Sequence, residues 1–383
     1  EADAGQRRGV KGLPDSQRFS SDSVDIVPHV DPGAGGAFYV IRKTEDVNKH
    51  YEILEELGHG QFGTVYAGRD RRTSKRVAVK SMSKRKAASD PHFCKDIRTE
   101  VEIMYHLGGH KNIVQLYGVY EDEHAIHLVM ELCEGGDWFE RLLENGTYSE
   151  RQAASAARSV LEALQYCHSL GVVHRDLKPE NLLLAHSGPG AQLKLADFGL
   201  SAMVPRAALQ DPHKRAMDSA GLLHDSVGSP YYVAPEVLMA RSYGKEVDVW
   251  SLGAVLFIAL GGYPPFDGAN EQAILKTVVY DPLSFADPTW DGISKGAKDI
   301  LTRMLTKDPK RRATIPELLA HPWLLPTPMS NAESSGAGLA GGGRVPDAVV
   351  MRLQQFSRLH KFKKQARKVL SQFLPEEEVV GLL

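Results

Sequence analysis

Residues 174–181 read HRDLKPEN, and two of these side chains indicate the chemistry of the chain. Asp176 supplies a carboxylate that can accept a proton from a bound hydroxyl group. Asn181 follows five positions later and supplies an amide oxygen, a ligand type that hard divalent cations accept. A structural loop could carry either residue by chance, so the prediction depends on the motifs around this one.

Three more motifs accompany it in a fixed order. Residues 58–65 read GHGQFGTV, residues 197–199 read DFG and residues 234–236 read APE. Glycines allow a backbone turn to close over phosphate groups without a side-chain clash. The glycine motif lies between two predicted strands, whereas a helix follows the glycines of a dinucleotide-binding fingerprint. Alone, a glycine-rich hairpin is a weak signal, and the remaining motifs give it weight.

A lysine follows the glycine motif in the next predicted strand. Residues 77–80 read VAVK, so Lys80 is preceded by small and apolar residues. Glu100 comes twenty positions later, in a predicted helix from about residue 95 to residue 107. A Lys–Glu pair of this kind can hold the ammonium group against the α- and β-phosphates of a nucleotide.

Composition excludes several classes of protein. The 383 residues include 46 Lys and Arg against 48 Asp and Glu, and a net charge of −2 argues against a dedicated nucleic-acid binder. The 3 cysteines form no CxxC pair, which argues against a disulfide framework or zinc site and fits a reducing compartment. We expect a cytoplasmic location, with the nucleus as an alternative. The longest apolar run, 249–260, is too short to span a membrane and predicts a buried helix.

Hydrophobic patterning predicts an antiparallel sheet with one helix, followed by a helical region. A capping box at 149–152 marks the start of the first long helix of that region. Glycine, proline and polar residues dominate 1–50, which predicts a mostly disordered extension. The strand-patterned runs of the first region are 51–57, 64–68, 76–80, 113–120 and 126–131.

Taken together, the motifs resemble those of a eukaryotic protein kinase domain over residues 51–324. The resemblance implies an α+β, two-lobed protein kinase fold. Its small N-lobe (51–131) would hold an antiparallel sheet and one main helix, and its larger C-lobe (135–324) would be helical, with ATP between the lobes. Lys178, followed by Pro-Glu-Asn, resembles serine/threonine kinases rather than tyrosine kinases.

The resemblance also implies a role for each motif residue. Asp176 would orient the substrate hydroxyl and accept its proton, and Lys178 would steady the transferring phosphoryl group. Lys80 and Glu100 complete the implied catalytic set. Asn181 and Asp197 would bind Mg²⁺.

The implied ATP-binding residues form three groups. Those over the phosphates are Leu57, Gly58, His59, Gly60, Gln61, Phe62, Gly63, Thr64 and Val65, together with Lys80 and Asp197. Those around adenine are Ala78, the gatekeeper Met130, the hinge residues Glu131 and Cys133, and Leu183. Asp137 would reach the ribose. Structural roles are implied for Asp248, which would brace the catalytic loop, and for a pair between Glu236 and Arg312.

Two acidic residues suggest a substrate preference. Asp137 and Glu180 occupy positions where related kinases recognise a basic residue upstream of the phosphorylated Ser or Thr. Electrostatic complementarity then favours protein substrates with basic residues near the Ser or Thr. The alternative is that both carboxylates are merely solvated.

Two further stretches, 130–137 (MELCEGGD) and 227–236 (VGSPYYVAPE), are similar to the calcium-dependent protein kinases of plants and protists. Asp225 stands where many kinases carry a phosphorylated threonine, and a fixed carboxylate there could pair with Arg175. Residues 205–220 resemble an insertion, and Trp138 replaces a smaller apolar residue; neither has an assigned role.

The C-terminal region strengthens this resemblance. A Gly/Pro/Ser-rich linker is predicted at 325–346, and residues 347–383 resemble the autoinhibitory junction of that family. From Arg344 to Leu374 there are eight Lys or Arg residues against one Asp, and apolar residues recur at helical spacing. A basic amphipathic helix suits either calmodulin or a calmodulin-like EF-hand domain at 347–374, or an acidic substrate groove. A membrane-surface helix and a solvated charged helix remain alternatives.

Calcium binding by this chain itself is not expected. Residues 287–292 resemble the start of an EF-hand loop, but Thr289 and Lys298 stand where ligands are required. In the family an EF-hand domain follows the junction, whereas this sequence stops at Leu383. Because it begins with Glu1, membrane association is expected only if a preceding N-terminus is lipidated. Two alternatives stay open: a kinase released by separate calmodulin, and a pseudokinase scaffold, against which the complete motif set argues.

Overall fold

A computed structural model describes most of the chain. The described residues are 40–41, 44–60, 63–85, 91–144, 146, 148–204, 230–239, 243–325 and 344–370, with side chains to residue 359 and without that of Pro91. The predicted α+β, two-lobed architecture is confirmed. The order of elements follows the sequence patterns closely, and the largest departures lie at the ends of the kinase-like region.

The N-lobe is a five-stranded antiparallel sheet in which the first three strands lie in chain order, followed by the fifth and then by the fourth. A short helix α1 (Val47–His50) precedes the sheet, and one main helix, α2 (Pro91–His106), packs on it. On the third strand Val77 and Val79 are buried on one face of the pleat, whereas Lys80 lies on the other face with the buried Ala78 and Met82. The strands are β1 (Tyr51–Gly60), β2 (Gly63–Asp70), β3 (Arg76–Ser83), β4 (Leu116–Glu121) and β5 (Ala125–Glu131).

The C-lobe is helical with two short strand pairs, β6 (Val172–Val173) with β9 (Ala202–Met203) and β7 (Leu182–Leu184) with β8 (Leu193–Leu195). The helix α6 (Glu246–Gly261) is buried on every side, as its apolar run predicts. None of the helices in the described part of the chain combines the length and hydrophobicity that a membrane span requires. The helices are α3 (Trp138–Glu144), α4 (Glu150–Ser169), α5 (Pro235–Leu238), α6 (Glu246–Gly261), α7 (Glu271–Tyr280), α8 (Lys295–Met304), α9 (Ile315–Leu319) and α10 (Asp347–Leu370).

Local signals fix several boundaries. The predicted capping box is present at α4, where the Ser149 hydroxyl accepts from the Gln152 amide and the Gln152 side chain accepts from the Ser149 amide. The strand predicted to begin at residue 113 begins instead at Leu116, because the Val114 amide donates to the Leu195 carbonyl of the C-lobe and the Leu195 amide donates to the Asn112 carbonyl.

Two of the ranges predicted to be irregular contain buried residues. Within the extension predicted over 1–50, Val40 and Ile41 are buried and α1 begins at Val47. Within the linker predicted over 325–346, Val345 is buried and its amide donates to the carbonyl of Tyr148 at 2.9 Å. Both departures have the same reason: a few apolar residues within a polar stretch find a place in the core.

The first half of α10 docks on the C-lobe. Val349 and Leu353 are fully buried, and a Cβ at Gly262 would collide with the backbone of Val349. The guanidinium of Arg352 pairs with Asp287 at 2.9 Å. One turn further along the helix, the ring of Phe356 contacts the ring of Tyr231. The junction segment is therefore held against the lobe that carries the catalytic motifs.

Candidate active site

A buried lysine, Lys80, contacts carboxylates of both lobes. Its Nζ lies 2.7 Å from the Glu100 carboxylate and 3.1 Å from that of Asp197. Lys80 is on β3, Glu100 on α2, and Asp197 follows β8 of the C-lobe. Burial lowers the pKa of Lys80, but the two carboxylates outweigh it and hold that pKa above its ordinary value. The ammonium group stays charged and fixed in the cleft.

Asp197 remains open to the cleft, since its side chain keeps 40% of its exposure. Burial opposes its ionisation, but the Lys80 ammonium outweighs this effect and lowers the pKa of Asp197 below its usual value. Its backbone is left-handed, with φ 59°, which turns the carboxylate back towards Lys80.

The catalytic-loop residues also lie together. The Lys178 ammonium pairs with the Asp176 carboxylate at 2.6 Å. The Asn181 amide nitrogen donates to the Asp176 backbone carbonyl at 2.7 Å and to its carboxylate at 3.3 Å. Burial lowers the pKa of Lys178, but the Asp176 carboxylate outweighs it and raises that pKa. The 3-10 turn Pro179–Asn181 folds the asparagine back over the aspartate.

A fully buried carboxylate holds this loop in place. Asp248, in the first turn of α6, accepts hydrogen bonds from the backbone amides of His174 at 2.9 Å and Arg175 at 2.8 Å. The ring of His168 contacts it at 2.8 Å. Burial raises the pKa of Asp248, but the hydrogen bond with His168 and the nearby charges outweigh it and lower that pKa. The predicted contact between Asp248 and the catalytic loop is present. Its hydrogen bond to the Arg175 amide helps to stabilise the left-handed backbone of that residue, with φ 66°.

The glycine hairpin lies at the open edge of the sheet. Gly63 has φ 147°, and a Cβ there would collide with the Ser81 carbonyl, so the turn requires glycine. Across the hairpin the His59 ring contacts the Thr64 hydroxyl at 2.7 Å. Leu57 is 49% exposed, which leaves it available to a ligand over the cleft. The partners of the remaining described members, Gly58 and Gly60, are Val65 and Gly63 respectively.

The predicted adenine and ribose residues meet at the hinge between the lobes. Met130 on β5 faces Ala78 on β3, and a backbone bridge joins Asp137 to Leu183. The adjacent Glu131 is not free, because its side chain pairs with Lys194 at 2.8 Å.

The thiol of Cys133 is half-buried at this hinge. Burial, followed by the charge of Glu131, raises its pKa to about 12. The thiol is thus neutral at ordinary pH.

Asp137 lies at the start of α3 and caps this helix. One carboxylate oxygen accepts from the amides of Phe139 at 2.6 Å and Glu140 at 3.2 Å, which caps the helix. Burial raises its pKa to about 7, and the nearby charge of Glu180 adds to this effect. Glu180 itself is exposed. The two carboxylates therefore lie close enough for the charge of Glu180 to act on Asp137.

The predicted pair behind the site is also present. The Arg312 guanidinium donates to both carboxylate oxygens of Glu236, at 2.7 and 2.9 Å, and both side chains are buried. The guanidinium also lies over the ring of Trp250, at 5.1 Å from its centroid. This fork-to-fork contact ties the APE motif to the helices below it.

The donor atoms near the cleft suit a magnesium ion. The side-chain nitrogen of Asn181 donates to Asp176, so its side-chain oxygen is the atom that can ligate a cation. The backbone carbonyl of Asn181 accepts from the Ala196 amide at 2.9 Å, which keeps Asn181 next to the ionised Asp197. One carboxylate and one amide oxygen are a small set, typical of Mg²⁺ that also binds substrate phosphates.

Several predictions fall outside the described residues. They concern Gln61, Phe62, Asp225 and the insertion at 205–220. Trp138, which had no assigned role, is buried and contacts the ring of Phe139 edge-on. Asp287, the start of the EF-hand-like stretch, caps a 3-10 turn through Thr289 and pairs with Arg352.

Sequence reasoning missed several buried polar partners. His168 on Asp248 and Lys194 on Glu131 are examples, and a third is Glu150, which accepts from Ser294 and from Trp323. A charged residue within an apolar periodic pattern, such as Lys194 between Leu193 and Leu195, is the signal that could have found them.

Comparisons with known proteins agree with this geometry. A family model described as the protein kinase domain matches residues 51–324. Calcium-dependent protein kinase 10 of Oryza sativa is 45% identical over 341 residues, which cover 89% of this chain and 53% of that protein. Calcium-dependent protein kinase 21 of Arabidopsis thaliana is 43% identical over 374 residues, which cover 96% of this chain and 64% of that protein. The chain thus spans between about half and two thirds of the length of these relatives.

Proposed function

This chain belongs to the protein kinase family, and from that premise we propose that it transfers the γ-phosphoryl group of ATP to Ser or Thr hydroxyls of proteins. The observation that carries the proposal is the fixed position of Lys80 between Glu100 and Asp197, at 2.7 and 3.1 Å. It is supported by the similarity to calcium-dependent protein kinases over most of the chain.

The N-lobe residues bind and orient the nucleotide. Lys80 directs its ammonium group to the phosphates, and Glu100 restricts the positions that the ammonium can take. Asn181 and Asp197 would hold Mg²⁺, which when bound neutralises phosphate charge as it develops. Since the glycine hairpin carries little side-chain bulk, its backbone can approach the same phosphates.

The catalytic loop acts on the substrate hydroxyl. The Asp176 carboxylate accepts the hydroxyl proton as the oxygen attacks phosphorus, and the bond from phosphorus to the leaving ADP oxygen breaks. Lys178, fixed on Asp176 at 2.6 Å, places a positive charge beside the transferring group. Asp248 holds the loop in this geometry through two backbone amides.

The test is transfer of phosphate from Mg-ATP to an Arg-x-x-Ser peptide by the chain and by its Asp176→Asn variant. Loss of a general base lowers such rates by about 10²- to 10⁴-fold. The variant should keep its affinity for Mg-ATP, since Asp176 is not proposed to bind the nucleotide. A well-folded wild-type chain that binds Mg-ATP without transferring phosphate would support the pseudokinase scaffold instead.

We also propose that substrates carry a basic residue upstream of the phosphorylated position. The support is the acidic surface formed by Asp137 and Glu180, where the exposed carboxylate of Glu180 can meet a guanidinium. Replacing the peptide arginine by alanine should raise KM. Glu180→Gln should raise KM for the arginine peptide and leave that for the alanine peptide unchanged; equal effects on both peptides would contradict the assignment.

The regulation we propose is restraint by α10 and release by a calcium sensor. Its support is the docking of Val349 and Leu353 on the C-lobe, the contact of Phe356 with Tyr231 shortly before the APE motif, and the basic composition of the helix. Met351 and Leu359 are 59% and 61% exposed, which leaves apolar groups for a sensor.

The two candidate sensors are separable by experiment. Calcium-dependent binding of calmodulin to a peptide of residues 347–374 would favour a separate calmodulin. A calmodulin-like EF-hand domain in the same polypeptide predicts instead that added calmodulin does not change activity. A cytoplasmic location is proposed with these roles, because none of Cys94, Cys133 and Cys167 forms a disulfide.

A further inference from the structure

Two residues ahead of the N-lobe sheet are bound by a buried carboxylate. Val40 and Ile41, here termed the N-terminal strap, are 0% and 8% exposed. Their backbone amides donate to the two oxygens of the Glu121 carboxylate, at 2.5 and 2.7 Å. Glu121 ends β4 and is itself only 1% exposed. A bidentate contact of this kind fixes the orientation of the strap backbone.

A lysine completes the site. The Lys84 ammonium lies 3.1 Å from the Glu121 carboxylate and donates to the Asp122 carbonyl at 2.9 Å. A buried carboxylate is stable only where charge and hydrogen bonds replace water. The strap amides supply two of those hydrogen bonds, so the site is built to include residues 40–41.

The strap also bonds to α2, the helix that carries Glu100. The Val40 carbonyl accepts from Nε of Arg98 on α2 at 2.6 Å. Arg98 is two residues before Glu100, and the neighbouring Ile97 is buried in the same apolar cluster as Val40. Through these contacts the strap is bonded to the sheet on one side and to α2 on the other.

We propose that the strap is a positioning element for the pair between Lys80 and Glu100. It touches neither the nucleotide nor the reacting atoms and acts through Arg98. With the strap in place, α2 is held against the sheet, and the Glu100 carboxylate stays 2.7 Å from the Lys80 ammonium. Without the strap, α2 loses the hydrogen bond of Arg98 and an apolar neighbour, both within one helical turn of Glu100. The ion pair between Lys80 and Glu100 then forms less often.

The test uses the full chain and replaces the donor on α2. Arg98→Ala removes the hydrogen bond to Val40, and Arg98→Lys retains a cationic donor as the conservative control. We expect Arg98→Ala to weaken Mg-ATP affinity by about 5- to 20-fold, the lower part of the range for coupling between sites. Adenosine affinity should not change, because adenosine lacks the phosphates that Lys80 binds. Arg98→Lys should restore most of the loss.

A second pair of variants tests the strap itself. Ile41→Pro removes the amide that donates to Glu121, whereas Ile41→Ala keeps it and shortens the side chain. Ile41→Pro should reproduce the selective loss of Mg-ATP affinity, and should raise amide hydrogen exchange in residues 95–104 more than Ile41→Ala does. A chain lacking residues 1–37 keeps the strap and should behave like the full chain.

The outcomes separate positioning from simple stabilisation. In a Glu100→Gln background, Arg98→Ala should have little further effect on Mg-ATP affinity, because both act on the same pair. Equal losses of Mg-ATP and adenosine affinity would show that the strap only stabilises the fold and would overturn the proposal. Unchanged Mg-ATP affinity in Arg98→Ala and Ile41→Pro would overturn it as well. Neither readout requires phosphate transfer, so the proposed catalytic function can fail independently.

Discussion

The docking of α10 leads to a quantitative prediction for Leu353. This side chain is 0% exposed and belongs to the main apolar cluster of the molecule, which spans both lobes. Leu353→Ala leaves a cavity, and such truncations cost roughly 2–5 kcal/mol. If about 3 kcal/mol of that loss falls on docking, the equilibrium between docked and undocked α10 shifts by roughly 100-fold, because 1.4 kcal/mol corresponds to tenfold.

Leu359→Ala on the same helix is the matched control. Leu359 is 61% exposed, and surface substitutions usually change stability by less than about 0.5 kcal/mol. Amide hydrogen exchange over residues 344–359 measures docking directly, and phosphate transfer without a calcium sensor measures its consequence. Leu353→Ala should raise both, and Leu359→Ala should raise neither.

The reasoning would be refuted by equal exchange in the two variants, because burial of Leu353 would then contribute nothing to docking. Faster exchange in Leu353→Ala without higher activity would support the docking of α10 on the C-lobe but contradict its inhibitory role.

Three other predictions follow from single contacts. Arg312→Ala leaves the buried Glu236 carboxylate without its partner and should lower the free energy of unfolding by about 3–5 kcal/mol in urea, whereas Arg303→Ala, in an exposed pair, should cost about 0–1 kcal/mol. Asp248→Asn weakens the brace on the catalytic loop and should lower kcat while Mg-ATP affinity stays unchanged; a parallel loss of affinity would contradict that role. Burial raises the pKa of Asp137 to about 7, so this carboxyl takes up a proton in the folded chain as the pH falls through that value, while in the unfolded chain it is still ionised down to about pH 4. The resemblance implies that the ionised Asp137 binds the ribose of ATP. KM for ATP should therefore rise as the pH falls from about 8 to about 6, and Asp137→Asn should remove that part of the pH dependence.

The sequence motifs predicted the fold and the centre of the site because their chemistry is local. The HRD and DFG motifs bring Asp176, Asn181 and Asp197 onto neighbouring turns, where a few backbone bonds complete the geometry. The partners Lys80 and Glu100 were predicted from spacing and resemblance, and the structure places them 2.7 Å apart.

The missed contacts are those that no periodicity reveals. Val40 and Ile41 are two apolar residues in a polar stretch, and their burial depends on Glu121, 80 or more residues away. Val345 is similar, since it adds to the core only because the chain returns to Tyr148. Long-range satisfaction of a buried carboxylate or carbonyl depends on the assembled fold, and a local pattern cannot predict it.

The most direct measurement compares phosphate transfer from Mg-ATP to an Arg-x-x-Ser peptide by the full chain and by a chain that ends at residue 328. The account predicts transfer in both, with a higher rate in the shorter chain because α10 no longer docks on the C-lobe. Equal rates would contradict restraint by α10. The absence of transfer in both chains, with Mg-ATP bound, would contradict the catalytic function itself.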